Sequence, residues 1–276
     1  MTGVQTCALP ISLLSGLPAR VVAWLAGQED LIEAFRQGKD IYSEFASMIY
    51  GYHVDKGLKT ERFVGKSAIL GLGFEMGHVR FKEQMKAATP SVDIPLEEAK
   101  RIVDLYRAKY GKIKALWKAA DAAMRSVVAG HAGEFGVGIK LYWDHEGIHM
   151  PNGMILRYPN LRFDPELEQY VYDSRYGKTT LYSGKIVENI VQALARTIVF
   201  YQTCKIDQKL KKVDRPGARF KLVLSVHDEA VAIAPQQASK QVEAMMTKIM
   251  SQPPAWAADL PIACESAMGE NYADCK

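Results

Sequence analysis

Arg62, Lys66, Leu70 and Phe74 recur at intervals of four within the stretch from Arg62 to Gly77. On a helix of about 3.6 residues per turn this spacing lines them along one side. One face then carries two cations, an apolar platform and an aromatic ring. The stretch alone supports two readings. In one, an amphipathic helix lets its Arg and Lys snorkel at the edge of a core. In the other, the face meets a nucleotide, with the cations on phosphates and the apolar groups on sugar and base.

A second motif favours the nucleotide. Phe220–Val226 is rich in β-branched and apolar residues, and His227, Asp228 and Glu229 separate it from the apolar run Ala230–Ile233. Two acids therefore sit where two strands are expected to join. Adjacent carboxylates at such a turn can hold a hard divalent cation, Mg²⁺ above all, against substrate phosphates.

The order RxxxKxxxLGxxF, then Glu188-Asn189-xx-Gln192-Ala193, then Val226-His227-Asp228-Glu229 closely resembles the family A DNA polymerases, in particular the bacteriophage branch. Supporting matches are Ala19-Arg20 through Trp24 to Gly27, Leu181 to Lys185, and Gly269-Glu270-Asn271-Tyr272. The resemblance runs from about Ser15 to the C-terminus.

It implies an α+β right-hand polymerase fragment, with a helical fingers subdomain inserted into a partial antiparallel palm sheet. Residues 27–180 would form the fingers and a connecting β segment, and residues 181–276 the palm with its Gln helix and VHDE motif. The implied activity is template-directed transfer of dNTPs to a primer 3′-hydroxyl by two-metal catalysis. Arg62 and Lys66 would grip the triphosphate, Leu70 would abut sugar and base, and Phe74 would stack beside the templating base. Gln192, Asn189, His227 and Arg20 would contact primer-template DNA. A Gln in the minor groove reads acceptors common to every base pair, which checks geometry without reading sequence. Asp228, with Glu229 beside it, would bind Mg²⁺.

The sequence departs from the family at several positions. Leu70 stands where an aromatic residue is frequent, Phe74 where Tyr is, Met154 where an Arg is expected, and Glu75 where Gly is usual. A family motif of the form DxSxxExR ends on Arg20, which puts Ser15 at the Ser, Leu13 at the first metal-binding aspartate and Pro18 at the glutamate. Leu cannot ligate a metal, so the chain is expected to be inactive as it stands, and a catalytically dead nucleotide- or nucleic-acid-binding fragment is the main alternative. A single-subunit RNA polymerase shares the cation-bearing helix but resembles HDS where this chain has HDE. A metal-dependent nuclease leaves that helix unexplained.

Residues 1–12 look like the translation of a sequencing adapter and are set aside from the expected fold, with 13–26 the remnant of the first palm motif. A basic n-region and a sustained apolar h-region are both lacking there, which argues against a signal peptide. Loss of a palm strand is expected to expose a sheet edge and favour aggregation.

The net charge of +4 is too mild to argue for nucleic acid unaided. No apolar run reaches membrane-spanning length, so no membrane partner is expected. Cys204, Cys264 and Cys275, with Cys7 set aside, lack metal-ligand spacing and fit a reducing compartment. The resemblance places the protein in the cytoplasm of a bacterium carrying a phage or prophage, and leaves any processivity factor unidentified.

Coarse patterning predicts short helices over 21–59 and an N-cap at Thr60. Two helices are expected over 79–129, the second starting at Pro95–Glu98 and bearing a basic stripe from Lys100 to Lys118. Hairpin strands at 139–143, 154–158 and 169–172 precede a helix over 185–211, with Ile186, Ile190, Leu194 and Ile198 buried. Pro261–Glu265 reads as the last strand. Lys39, Tyr42 and His53 are weaker nucleotide candidates, and His131, His145 and His149 have no zinc spacing with any Cys.

Overall fold

The computed structural model describes residues 7–14 and 16–275. Strand β1 (Cys7–Leu14) leads into helices α1 (Leu17–Ala26), α2 (Glu29–Arg36), α3 (Ile41–Tyr50), α4 (Lys59–Leu72), α5 (His78–Ala87), α6 (Leu96–Lys109) and α7 (Gly111–Val128). Short strands follow: β2 (Gly133–Phe135), β3 (Leu141–Trp143), β4 (Ile148–His149), β5 (Ile155–Leu156), β6 (Arg162–Asp164), β7 (Gln169–Ser174) and β8 (Gly177–Leu181). The long helix α8 (Ser183–Lys211) precedes β9 (Lys221–Val226), β10 (Glu229–Pro235), α9 (Ser239–Met250) and β11 (Cys264–Gly269). Helices and antiparallel sheets coexist without parallel crossover units, which makes the chain α+β.

Two compact units divide these elements: residues 18–192 form one, and residues up to 17 with those from 193 onward form the other. In the first unit, α3 packs on α4 at very close range. A Cβ on Gly65 would overlap the Tyr42 carbonyl oxygen and come within 2.9 Å of the Ala46 Cβ. Glycine is therefore what lets the two helix backbones approach. Phe45, Tyr106 and Tyr110 form an aromatic cluster with ring centroids 4.9–5.9 Å apart.

The expected single helix beyond Pro95 is broken at Tyr110, whose φ of −109° and ψ of 58° end α6 before Gly111 starts α7. Packing of the Tyr110 ring into the cluster overrides a continuous helical pattern. The β segment holds two antiparallel sheets, ordered β2-β3-β4-β5 and β6-β7-β8. The strand predicted at 154–158 shortens to Ile155–Leu156 and that at 139–143 to Leu141–Trp143.

The second unit is a sheet ordered β11-β1-β10-β9, antiparallel throughout, with α9 packed on it. Its central position goes to residues that the sequence set aside. Ala8 to Leu14 form an uncharged strand paired with β10 on one side and β11 on the other, and Pro10, Ile11, Ser12 and Leu14 are buried. Apolar content and two partner strands determine this conformation, whatever the origin of the residues. The β10 ladder is interrupted at Leu9–Pro10, where Pro10 has no N–H to donate. Residues 1–6 and Ser15 lie outside the described residues.

Among the described residues the sheet's edges are β9 and β11. On β9, Val223 and Leu224 remain exposed. The last strand starts at Cys264 rather than Pro261.

Gly65→Ala is expected to force α3 and α4 apart and destabilise the protein by about 1–3 kcal/mol, the usual cost of overpacking. Urea unfolding checks this, and an unchanged midpoint would contradict the close-contact account.

Candidate nucleotide-binding site

Helix α4 starts at Lys59, with Leu58 at the N-cap and no side-chain cap, so Thr60 lies inside the helix rather than capping it. Val64, Gly65, Ala68, Ile69 and Leu72 are buried. This leaves Arg62, Lys66 and Leu70 on the opposite side, as their spacing predicts. Lys66 is exposed, and Leu70 and Phe74 are half-buried.

Arg62 is held in place. Its Nε donates to Asp40 Oδ2 at 2.7 Å and its second terminal nitrogen to Oδ1 at 3.2 Å, and its guanidinium lies 5.5 Å from the Tyr42 ring centroid. Asp40 is also the N-cap of α3, accepting from the Ser43 backbone N–H at 3.4 Å and from Ser43 Oγ at 2.9 Å. Burial pushes the Asp40 carboxyl up, but the bonds from Arg62 and Ser43 outweigh it and hold the group below the usual carboxylate range. Sequence reasoning passed over Asp40. The available signal was an Asp three residues before Ser43 at the start of an apolar run.

Phe74 lies beyond the helix. α4 ends at Leu72, and Glu75 takes a φ of +64°. Gly73 O accepts from Trp117 Nε1 at 2.9 Å. The carboxylate of Glu75 accepts hydrogen bonds from Ser183 Oγ and, at 2.9 Å, from the Gly184 N–H. The acid that had no role in the sequence thus caps α8. Lys39 and His53 line an open cavity of about 610 Å³ together with Asp40, Lys56 and Lys109.

Along α8, Ile186, Ile190, Leu194 and Ile198 are fully buried and Gln192 is exposed. Asn189 Nδ2 donates to the Tyr158 hydroxyl at 3.1 Å. Arg20 is buried, its guanidinium 4.4 Å from the Phe35 ring centroid, so in this structure it packs the core rather than facing a ligand.

In the other unit, His227 and Asp228 form the two-residue tip of the β9–β10 hairpin, since Val226 pairs with Glu229. His227 is exposed at φ +51°, a position where a hairpin normally uses glycine. The Asp228 carbonyl accepts from the Leu14 N–H at 3.2 Å, which ties the tip to β1. Glu229 is 7% exposed and its Oε2 accepts from the Tyr272 hydroxyl at 2.6 Å, a partner the sequence did not reveal. Leu13 is in register with Glu229 on one side and Glu265 on the other. Pro18 sits in the first turn of α1. Among the described residues, no group of three or more His, Cys, Asp or Glu could hold a metal ion.

The model of the family described as DNA polymerase family A matches residues 15–130. The DNA polymerase of Bacillus phage SP02 is 29% identical over 95% of this chain and 40% of its own length. The thermostable DNA polymerase I of Thermus aquaticus is 24% identical over 95% of the chain and 26% of its own length. Among solved structures, the POL domain of Pol1 from M. smegmatis, in complex with DNA primer-template and dNTP, superposes with a TM-score of 0.65 at 19% identity, covering 99% of this chain and 41% of that one. The fold is therefore that of a polymerase domain, and the chain spans less than half the length of these relatives.

Because the Asp40 carboxyl is depressed in the folded protein, its contribution to stability is present above the unfolded pKa of about 3.9 and is lost as pH falls through the lower folded value. The melting-temperature gap between the protein and Asp40→Asn is expected to be widest near neutrality and to shrink below about pH 4. A gap that stays constant with pH would contradict the Arg62–Asp40 account.

Proposed function

We propose, starting from the chain's similarity to the family A DNA polymerases, that it carries the nucleotide-binding helix and part of the catalytic sheet of a template-directed DNA polymerase. The observation that supports this most is the outer face of α4, where Arg62 is fixed by Asp40 and Lys66 is exposed one turn away. A guanidinium whose fork is already aligned, next to a mobile ammonium, suits a triphosphate. The first gives direction and the second gives charge. Leu70 continues the face as an apolar wall for sugar and base, and Phe74, just past the helix, faces the templating base. Gln192 on α8 reads the minor groove of the primer-template without sequence preference. A dNTP and primer-template DNA are thus the ligands.

The family's chemistry calls for two magnesium ions between facing carboxylates. The donor set here does not fit. Asp228 offers a carboxylate at the hairpin tip, Glu229 is buried on Tyr272, and Leu13, in the strand beside them, offers no oxygen. The chain's own residues would bind the nucleotide, neutralise the triphosphate and select against mispairs. Our reading is accordingly that binding is retained in this chain while nucleotidyl transfer is not. The cytoplasm of a phage-bearing bacterium remains the proposed setting.

Binding is tested with a primed DNA ending in a dideoxynucleotide. The complementary dNTP is expected to stabilise the complex, and Lys66→Ala to weaken that dNTP by about tenfold, the worth of one charge-assisted hydrogen bond. Absence of any nucleotide dependence in the unaltered chain would overturn the proposal. Separately, Leu13→Asp is expected to raise primer extension in Mg²⁺ above that of the unaltered chain. Equal extension by the two would show that position 13 does not limit the chemistry.

A further inference from the structure

The turn after α4 contains a contact that costs the chain something and that the family's usual glycine would not make. Glu75 adopts a left-handed φ of +64°. For a residue with a Cβ this costs on the order of 1–2 kcal/mol, which glycine avoids. A charged side chain is nevertheless present, and it reaches residues far along the sequence. Its carboxylate accepts from Ser183 Oγ and from the Gly184 N–H, at the start of a 29-residue helix. The first N–H groups of a helix have no partner within it and carry the positive end of its dipole, so a carboxylate there is favoured twice.

The opposite side of the contact is shaped to match. A Cβ on Gly184 would overlap the Phe74 carbonyl oxygen and come within 2.6 Å of the Glu75 Cβ. Only glycine at 184 lets the Phe74–Glu75 backbone come this close. On the other flank of the turn, Trp117 Nε1 holds Gly73 O and the Arg107 guanidinium donates to Met76 O at 3.4 Å. Phe74 thus lies between two anchored neighbours, one on α7 and one on α8. All of these residues belong to the same compact unit.

We infer that Glu75 is a positioning residue for nucleotide selection: by capping α8 it fixes Phe74, at the end of the nucleotide helix, relative to the helix that carries Gln192. This rests on the reading of α4 as the nucleotide-binding helix. Phe74 forms the template-side wall of that site, and Gln192 lies on α8 two and a half turns beyond the capped end. With Glu75 in place, a displaced base pair at either position works against a rigid frame, and mispairs are rejected more strongly. Without it, the turn shifts at little cost and the wall yields.

The test uses the full chain with dideoxy-terminated primer-template, comparing binding of the complementary dNTP with that of a mismatched one. Glu75→Gly and Glu75→Ala are expected to lose about tenfold of this discrimination, the factor carried by one charge-assisted hydrogen bond. Glu75→Gln, which keeps an acceptor, should retain most of it. Ser183→Ala, which removes one donor from the other side, should lose part. Hydrogen exchange at the Gly184 amide reports the cap itself, and should be slow in the unaltered chain and faster in Glu75→Gly, whose relieved backbone strain keeps it folded. If Glu75→Gly exposes the Gly184 amide yet discriminates as well as the unaltered chain, the inference is overturned. Unchanged exchange at Gly184 overturns it too. If the unaltered chain shows no match-dependent dNTP binding, it is the reading of α4 that fails.

Discussion

The proposed nucleotide face depends on the contact between α3 and α4. Gly65 lets the two backbones meet, and with the helices that close, Asp40 at the start of α3 reaches Arg62 on α4. One carboxylate therefore serves two groups: it caps a helix, and it pairs with a guanidinium that lies over Tyr42. An unpaired Arg on a surface helix samples many rotamers, and ordering it at the moment of binding would weaken affinity. Here the ordering is built into the fold, so the triphosphate recognition we propose would start from an aligned cation beside an exposed Lys66.

The same logic extends to the far end of α4. The turn that follows it is fixed through backbone carbonyls and one side-chain carboxylate, not through apolar packing alone. Directional bonds at Gly73, Glu75 and Met76 tie down the chain on both sides of Phe74, whereas a purely apolar contact would tolerate sliding. In the other unit, the Asp228 carbonyl is bonded to β1 and the Glu229 carboxylate to Tyr272, so the hairpin tip is also held from two sides. What that tip lacks is a facing acid, because the neighbouring strand presents Leu13.

Features with a local period, helical or strand, were legible in the sequence. The α4 face, the buried Ile186, Ile190, Leu194 and Ile198, and the two strands flanking His227-Asp228 all follow from local spacing. The misses were non-local. Glu75 bonds to Ser183, 108 residues away, and no local pattern announces that. Tyr110 breaks a helical run because its ring joins Phe45 and Tyr106. Phe74 kept the four-residue interval but left the helix, since a periodic pattern does not show where the last turn ends. Strand β1 follows from the apolar character of Ala8 to Leu14, which pairs on both sides whatever the origin of those residues.

The most direct measurement is an experimental structure of the chain with primer-template DNA and a complementary dNTP. The account predicts triphosphate density against Arg62 and Lys66, with the base between Leu70 and the Phe74 turn. Nucleotide density elsewhere, for instance in the cavity lined by Lys39 and His53 with the α4 face empty, would contradict it.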